Sequence, residues 1–156
     1  MPLTALYASC RVGDLLIGID VDRVREVAAG LALTPVPLAS PLVGGLLNLR
    51  GDIITAIDLR RCLRLPERPA EQRPVNVVLQ TPDGWLSLLV DEVGDVLTVD
   101  PAELERPPAT LPAHVSDLIS GVYTFDGRLL LALNTDGVLA VSSGESVMST
   151  NGRMTC

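Results

Sequence analysis

His114 is the only imidazole in the chain, and it lies in the proline-flanked stretch Pro112-Ala113-His114. One histidine cannot build a metal cluster, and Cys10, Cys62 and Cys156 show no ligand spacing around it. As a general base it would need a nucleophile or an orienting acid, and the sequence marks neither. A surface or loop-packing histidine is therefore expected. The acidic group Asp91, Glu92 and Asp95 lacks the Asp-x-Asp-x-Asp-Gly pattern of a calcium loop, so it reads as a solvated strand edge. Asp52 and Asp58 could be paired carboxylates. Six strand residues place them on one face but ~20 Å apart, too far to share a proton. Gly44-Gly45 and Gly51 form neither GxGxxG nor a P-loop and are explained by turns and close packing. No lysine is present, which removes a Walker lysine, a Schiff-base lysine and a lysine base. All twelve basic residues are arginines, whose planar forks suit bidentate pairing at an interface. These residues imply no catalysis, cofactor or metal, and point to a binding or scaffold module.

The elements that must position such a module are small and repeated. In residues 43–63, VGGLLNLRGDIITAIDLRRCL, two β-capable runs flank Arg50-Gly51, which predicts a hairpin with its strands inside 46–57. Asp58 then stands where a helix N-cap belongs, ahead of Leu59, Cys62 and Leu63. Residues 119–139, ISGVYTFDGRLLLALNTDGVL, lie on 43–63 without a gap, 76 positions on. Gly45, Gly51, Ala56 and Leu63 meet Gly121, Gly127, Ala132 and Leu139, and Asp58 meets Asn134. Upstream, Val21-Asp22, Val24 and Val27 meet Val90-Asp91, Val93 and Val96, 69 positions on. Two tandem copies of one β unit are expected. The first spans about 12–65, the connector 66–74 and the second about 75–141, with the N-terminal strand able to pair with either lobe.

At 156 residues the chain can bury roughly 70% of its unfolded surface without a metal or disulfide staple. No apolar run approaches the ~20 residues of a membrane span, and the N-terminus lacks a signal-peptide pattern, so a cytoplasmic protein without membrane insertion is expected. The net charge of −7 argues against nucleic acid. Three cysteines, scattered and odd in number, fit reduced thiols; Cys10 and Cys62 read as core fillers and Cys156 as exposed. Residues 3–12 and 15–19 form a further hairpin around Gly13-Asp14. Residues 21–27 read as a short bent strand or turn. Ser40-Pro41 and Asp100-Pro101 have the form of capped helical starts, and 116–118 of another helical turn. The polar residues 142–156 are expected to be a flexible tail. Many short strands between turns predict an all-β fold of small barrels with short helical turns.

Gly18-Ile19-Asp20 with Val24-Arg25-Glu26-Val27, then Asn48-Leu49-Arg50-Gly51 and Ile57-Asp58-Leu59-Arg60, resemble the CheW family of chemotaxis coupling proteins. Val90-Asp91-Glu92-Val93, Asp95-Val96-Leu97, Arg106-Pro107-Pro108 and residues 121–133 are similar to its second half. The resemblance implies two intertwined five-stranded SH3-like β-barrel lobes. It implies a non-enzymatic adaptor, without cofactor, joining the regulatory domain of the histidine kinase CheA to the cytoplasmic tip of methyl-accepting chemoreceptors. Such an adaptor works in receptor arrays on the inner face of the membrane. Partner contacts are then expected from Val24, Glu26, Gly45, Leu49, Arg50, Asp58 and Arg60. The alternatives are a coupling protein of a surface-motility pathway, and a ligand sensor or enzyme on a small-barrel fold.

Overall fold

The computed structural model describes residues 4–143. Its plan follows from four tight turns, each joining a pair of antiparallel strands. Gly13-Asp14 joins β1 (Ala5–Val12) to β2 (Leu15–Asp20), and Arg50-Gly51 joins β4 (Val43–Leu49) to β5 (Asp52–Asp58). Pro82-Asp83 joins β6 (Val75–Thr81) to β7 (Gly84–Val90), and Asp126-Gly127 joins β9 (Ile119–Phe125) to β10 (Arg128–Leu133). Arg50 and Gly51 have φ of 54° and 92°, and Asp126 and Gly127 have 51° and 75°. Two consecutive positive φ values give the turn whose twist matches a hairpin. β3 (Val24–Ala29) and β8 (Glu92–Val99) complete the strands.

The hairpin match read from the sequence holds residue for residue. Val43 opposes Ile57 and Gly45 opposes Ala56 across a bulge; Ile119 opposes Leu133 and Gly121 opposes Ala132 across another. Both bulges have the same cause. Thr34 bridges Leu46, and a Cβ on Gly45 would meet the Thr34 carbonyl oxygen at 2.8 Å. Glu105 bridges Val122, and a Cβ on Gly121 would meet the Glu105 carbonyl oxygen at 2.6 Å.

The sheets are not the tandem copies. The first lobe has the order β8-β1-β2-β10-β9 and the second β3-β6-β7-β5-β4. The chain thus leaves the first lobe after β2, builds the second from β3 to β7, and returns. β2 lies parallel to β10, and β7 parallel to β5. The N-terminal hairpin pairs with β8 and β10, so each lobe needs strands from both halves of the sequence. This is the intertwined all-β architecture expected. The largest core lies between the sheets: Cys10, Ile17 and Ile19 of the first pack with Ile57, Leu79 and Leu88 of the second. Smaller clusters, around Leu47, Ile54 and Val78 and around Tyr123 and Leu130, fill the other face of each sheet.

Helix is confined to short pieces. α1 (Leu59–Cys62) starts at Asp58, whose Oδ1 accepts from the Arg60 N–H at 3.0 Å, as the sequence predicts. α2 (Ala113–Ser116) starts three residues before the predicted turn and holds His114, while Ser40-Pro41 forms a hydrogen-bonded turn rather than a helix. A 3-10 turn, Val21–Arg23, precedes β3, and another, Pro101–Glu103, follows Asp100. α3 (Thr135–Ser143) takes in the first two residues of the expected tail; the rest of that tail, with Cys156, lies outside the described residues. Cys10 and Cys62 are buried, and burial pushes the Cys10 thiol up to about 12.

Candidate functional site

Because β5 and β7 run parallel, the turns Arg50-Gly51 and Pro82-Asp83 emerge at the same end of the second lobe. β3 runs against β6, so its first residues reach that end too. Val24, Glu26, Leu49 and Arg50 are therefore brought together. The Arg50 guanidinium grips Glu26 bidentately, Nη1 to Oε1 at 2.6 Å and Nη2 to Oε2 at 3.0 Å. The pair is unevenly exposed: the Arg50 side chain is 69% accessible and that of Glu26 24%. The turn beneath it does not depend on the cation. Gly51 N–H donates to Asn48 Oδ1 at 2.9 Å, and the left-handed φ is carried equally by Asp126 in the matching turn. Val24 packs on the central core and Leu49 is buried in the lobe's own core, so both shape the site from below.

Three residues outside the expected contact set complete this end. Ile53 and Trp85 are exposed hydrophobics, 65% and 38% accessible. They line a shallow hollow of about 280 Å³ with Asp52 and Ile54. Arg25 stands over the Trp85 ring. The signal available in sequence was the position of Trp85 immediately after a turn, on the strand that parallel pairing sets beside Ile53; the pairing itself is invisible in sequence.

Gly45, Asp58 and Arg60 lie elsewhere, toward the far end of β4 and β5. Gly45 serves the Thr34 crossing described above. Asp58 is 6% exposed and caps α1. Its Oδ2 also faces Arg68 Nη1 at 3.5 Å and Arg61 Nε at 3.8 Å. Arg60 donates from Nε to Asp91 Oδ1 at 2.9 Å, from Nη2 to Asp91 Oδ2 at 2.6 Å and from Nη1 to the Pro66 carbonyl at 2.8 Å. Arg68, on the proline-rich connector, donates to Asp91 Oδ1 at 2.9 Å, and the Gly13 N–H donates to Asp91 Oδ2 at 2.8 Å. The side chains of Arg60, Arg68 and Asp91 are only 11%, 8% and 7% accessible.

Asp91 therefore corrects the solvated-edge expectation. It sits where the chain crosses from β7 to β8 and gathers a turn of the first lobe, α1 of the second and the connector. Burial alone would raise its carboxyl; Arg60, the Gly13 N–H and Arg68 outweigh that and hold it at about 2. Asp91 in turn raises the Arg60 guanidinium. Glu92 and Asp95 remain on the exposed side of β8, as expected.

No group of three or more His, Cys, Asp or Glu side chains among the described residues is placed to hold a metal. The second lobe of this two-sheet β scaffold thus carries, at one end, a bidentate ion pair beside exposed apolar side chains. Comparison with known proteins gives the family: the chain belongs to the CheW-like domain family, whose model matches residues 6–143. Chemotaxis protein CheW of Rhizobium meliloti is 29% identical over 136 residues, 87% of this chain and 88% of that protein. Chemotaxis protein CheW of Bacillus subtilis is 30% identical over 130 residues, 83% of each. The crystal structure of the scaffolding protein TtCheW from Thermoanaerobacter tengcongensis shares the fold, with a TM-score of 0.74 and 24% identity over 86% of this chain and 90% of that one.

Proposed function

We propose that this chain is a non-enzymatic adaptor of chemotaxis-type signalling. It couples the regulatory domain of a CheA-type histidine kinase to the cytoplasmic tip of a chemoreceptor, at receptor arrays on the inner face of the membrane. Membership of the CheW-like family supports the pathway. The observation that carries the docking role is the bidentate Arg50–Glu26 pair, exposed on the turn end of the second lobe beside Ile53 and Trp85.

An interface arginine is effective when its fork is already oriented before the partner arrives. Here Glu26 orients it while 69% of its side chain stays open. Val24 and Leu49 hold the two backbones from which the pair projects. Asp58 and Arg60 act at one remove: their hydrogen-bonding capacity is spent inside the protein, so they set the relation of connector, helix and crossover. No helix among the described residues is long and apolar enough to cross a membrane, so placement at an array would come through the partners.

The test is a binding titration of the purified kinase regulatory domain and of a receptor-tip fragment against the wild-type chain and an Arg50→Glu variant. Loss of at least one interaction supports the reading. Unaltered binding of both would remove the docking role of this end.

A further inference from the structure

We infer that Arg25, set over the Trp85 ring, is the specificity determinant of the docking end, and that it selects an apolar protein face with a carboxylate at its rim. The inference rests on the docking role proposed for this end of the second lobe. Three observations converge on it. The first is the chain's single tryptophan, which is left 38% exposed. Its indole Nε1–H donates to Gln80 Oε1 at 2.8 Å, which favours one orientation of the ring. A large, partly exposed indole with few rotatable bonds loses little entropy on docking, and tryptophan is enriched among interface hot spots.

The second is Arg25 itself. Its guanidinium carbon lies 5.9 Å from the centroid of the Trp85 ring. It is exposed, and no carboxylate among the described residues lies within ion-pair distance of it. This separates it from Arg50, whose charge Glu26 already neutralises. A guanidinium on an indole face is worth little in water and more once the contact is dried. Docking over the hollow formed by Asp52, Ile53, Ile54 and Trp85 would dry it.

The third is the distribution of charge. Residues 21–91, which include every strand of the second lobe, carry eight Arg and eight Asp or Glu. Residues 4–20 and 92–143, which include every strand of the first, carry three Arg and ten Asp or Glu. A partner with an acidic rim is repelled by the first lobe and meets an unpaired cation only at Arg25 on this end of the second. An aliphatic side chain of that partner would enter the hollow against Trp85 and Ile53 while its carboxylate reaches Arg25. The repeat itself does not demand either residue: 69 positions away in this chain, Gly94 stands opposite Arg25 and Leu16 opposite Trp85.

The experiment measures dissociation constants for two probes, the kinase regulatory domain and the receptor-tip fragment, against Arg25→Glu, Arg25→Lys, Trp85→Leu and Arg50→Glu. For at least one probe, Arg25→Glu and Trp85→Leu should each weaken binding tenfold or more. Arg25→Lys should retain most of it at low salt and lose it as ionic strength rises. Circular dichroism melts of the same variants show whether each is folded, and Arg25→Lys keeps the test open if Trp85→Leu is not. Sensitivity to Arg50→Glu with indifference to Arg25→Glu overturns the inference and leaves the docking role standing. Indifference of both probes to all four variants overturns both.

Discussion

Replacing Asp91 by asparagine should be among the most damaging single changes in the protein, although the sequence presents Asp91 as one of several surface acids. Asp91 is 8% exposed as a residue, and its carboxylate receives Arg60 Nε at 2.9 Å, Arg60 Nη2 at 2.6 Å, Arg68 Nε at 2.9 Å and the Gly13 N–H at 2.8 Å. Asparagine keeps the volume but offers one acceptor and turns an N–H₂ toward a guanidinium. Two nearly buried arginines would then share Asp58, which lies 3.5 Å from Arg68 and already caps α1. Removing one partner of a buried ion pair costs about 3–5 kcal/mol, because the surviving charge stays desolvated. For a domain of total stability ~5–15 kcal/mol that is a large fraction. Urea unfolding followed by circular dichroism should show the loss as a lower midpoint at unchanged slope. Removing one of the excess cations should lessen the damage, so Asp91→Asn with Arg68→Met should cost less than the two single changes added together. A loss below ~1 kcal/mol in Asp91→Asn, or strict additivity in the double variant, would refute the view that this cluster holds the crossover.

Acid should act through the same carboxylate. Its folded value of about 2 lies below the ordinary 3.8, so its contribution is complete above pH ~5 and is lost as the pH falls from there through 2; that contribution is ~2 kcal/mol by linkage, and it should vanish from the pH profile of Asp91→Asn. Arg50→Ala should leave the melting temperature near wild type, since an exposed pair is worth ~0–1 kcal/mol, while weakening partner binding by ~2 kcal/mol or more in a titration. Gly45→Ala should destabilise by ~1–3 kcal/mol in urea melts, because its φ of 147° and the Thr34 carbonyl at 2.8 Å leave no room for a Cβ without moving the crossing segment.

Local features of the fold were legible because local chemistry dictates them. Arg50-Gly51 and Asp126-Gly127 announce hairpins through the backbone they require, and Asp58 announces α1 through its cap. The gapless match of 43–63 to 119–139 carried over to registers and bulges because both depend on the same glycine positions. α3 was within reach by the same logic: Asn134 matches Asp58, and its Oδ1 accepts from the Gly137 N–H at 3.1 Å. The exchange of strands between lobes was not legible. It depends on the long-range pairings of β1 with β8 and of β2 with β10, which no local turn or period encodes. The charged cluster was hidden for the same reason. Arg60 and Arg68 lie 31 and 23 residues from Asp91, and the three become buried only once the crossover and connector are in place. At the proposed docking end the sequence marked Val24, Glu26, Leu49 and Arg50 through family resemblance. Arg25, Ile53 and Trp85 join them only through the parallel pairing of β5 with β7 and the reach of Arg25 across β6.

Reconstitution of kinase control tests the adaptor role most directly. Receptor-tip assemblies, CheA-type kinase and this chain are mixed singly, in pairs and together, and the rate of kinase autophosphorylation is measured with labelled ATP. A large rise is expected only in the ternary mixture, dependent on the concentration of this chain and lost with Arg50→Glu. A kinase rate in the ternary mixture equal to that of receptor and kinase without this chain would contradict it.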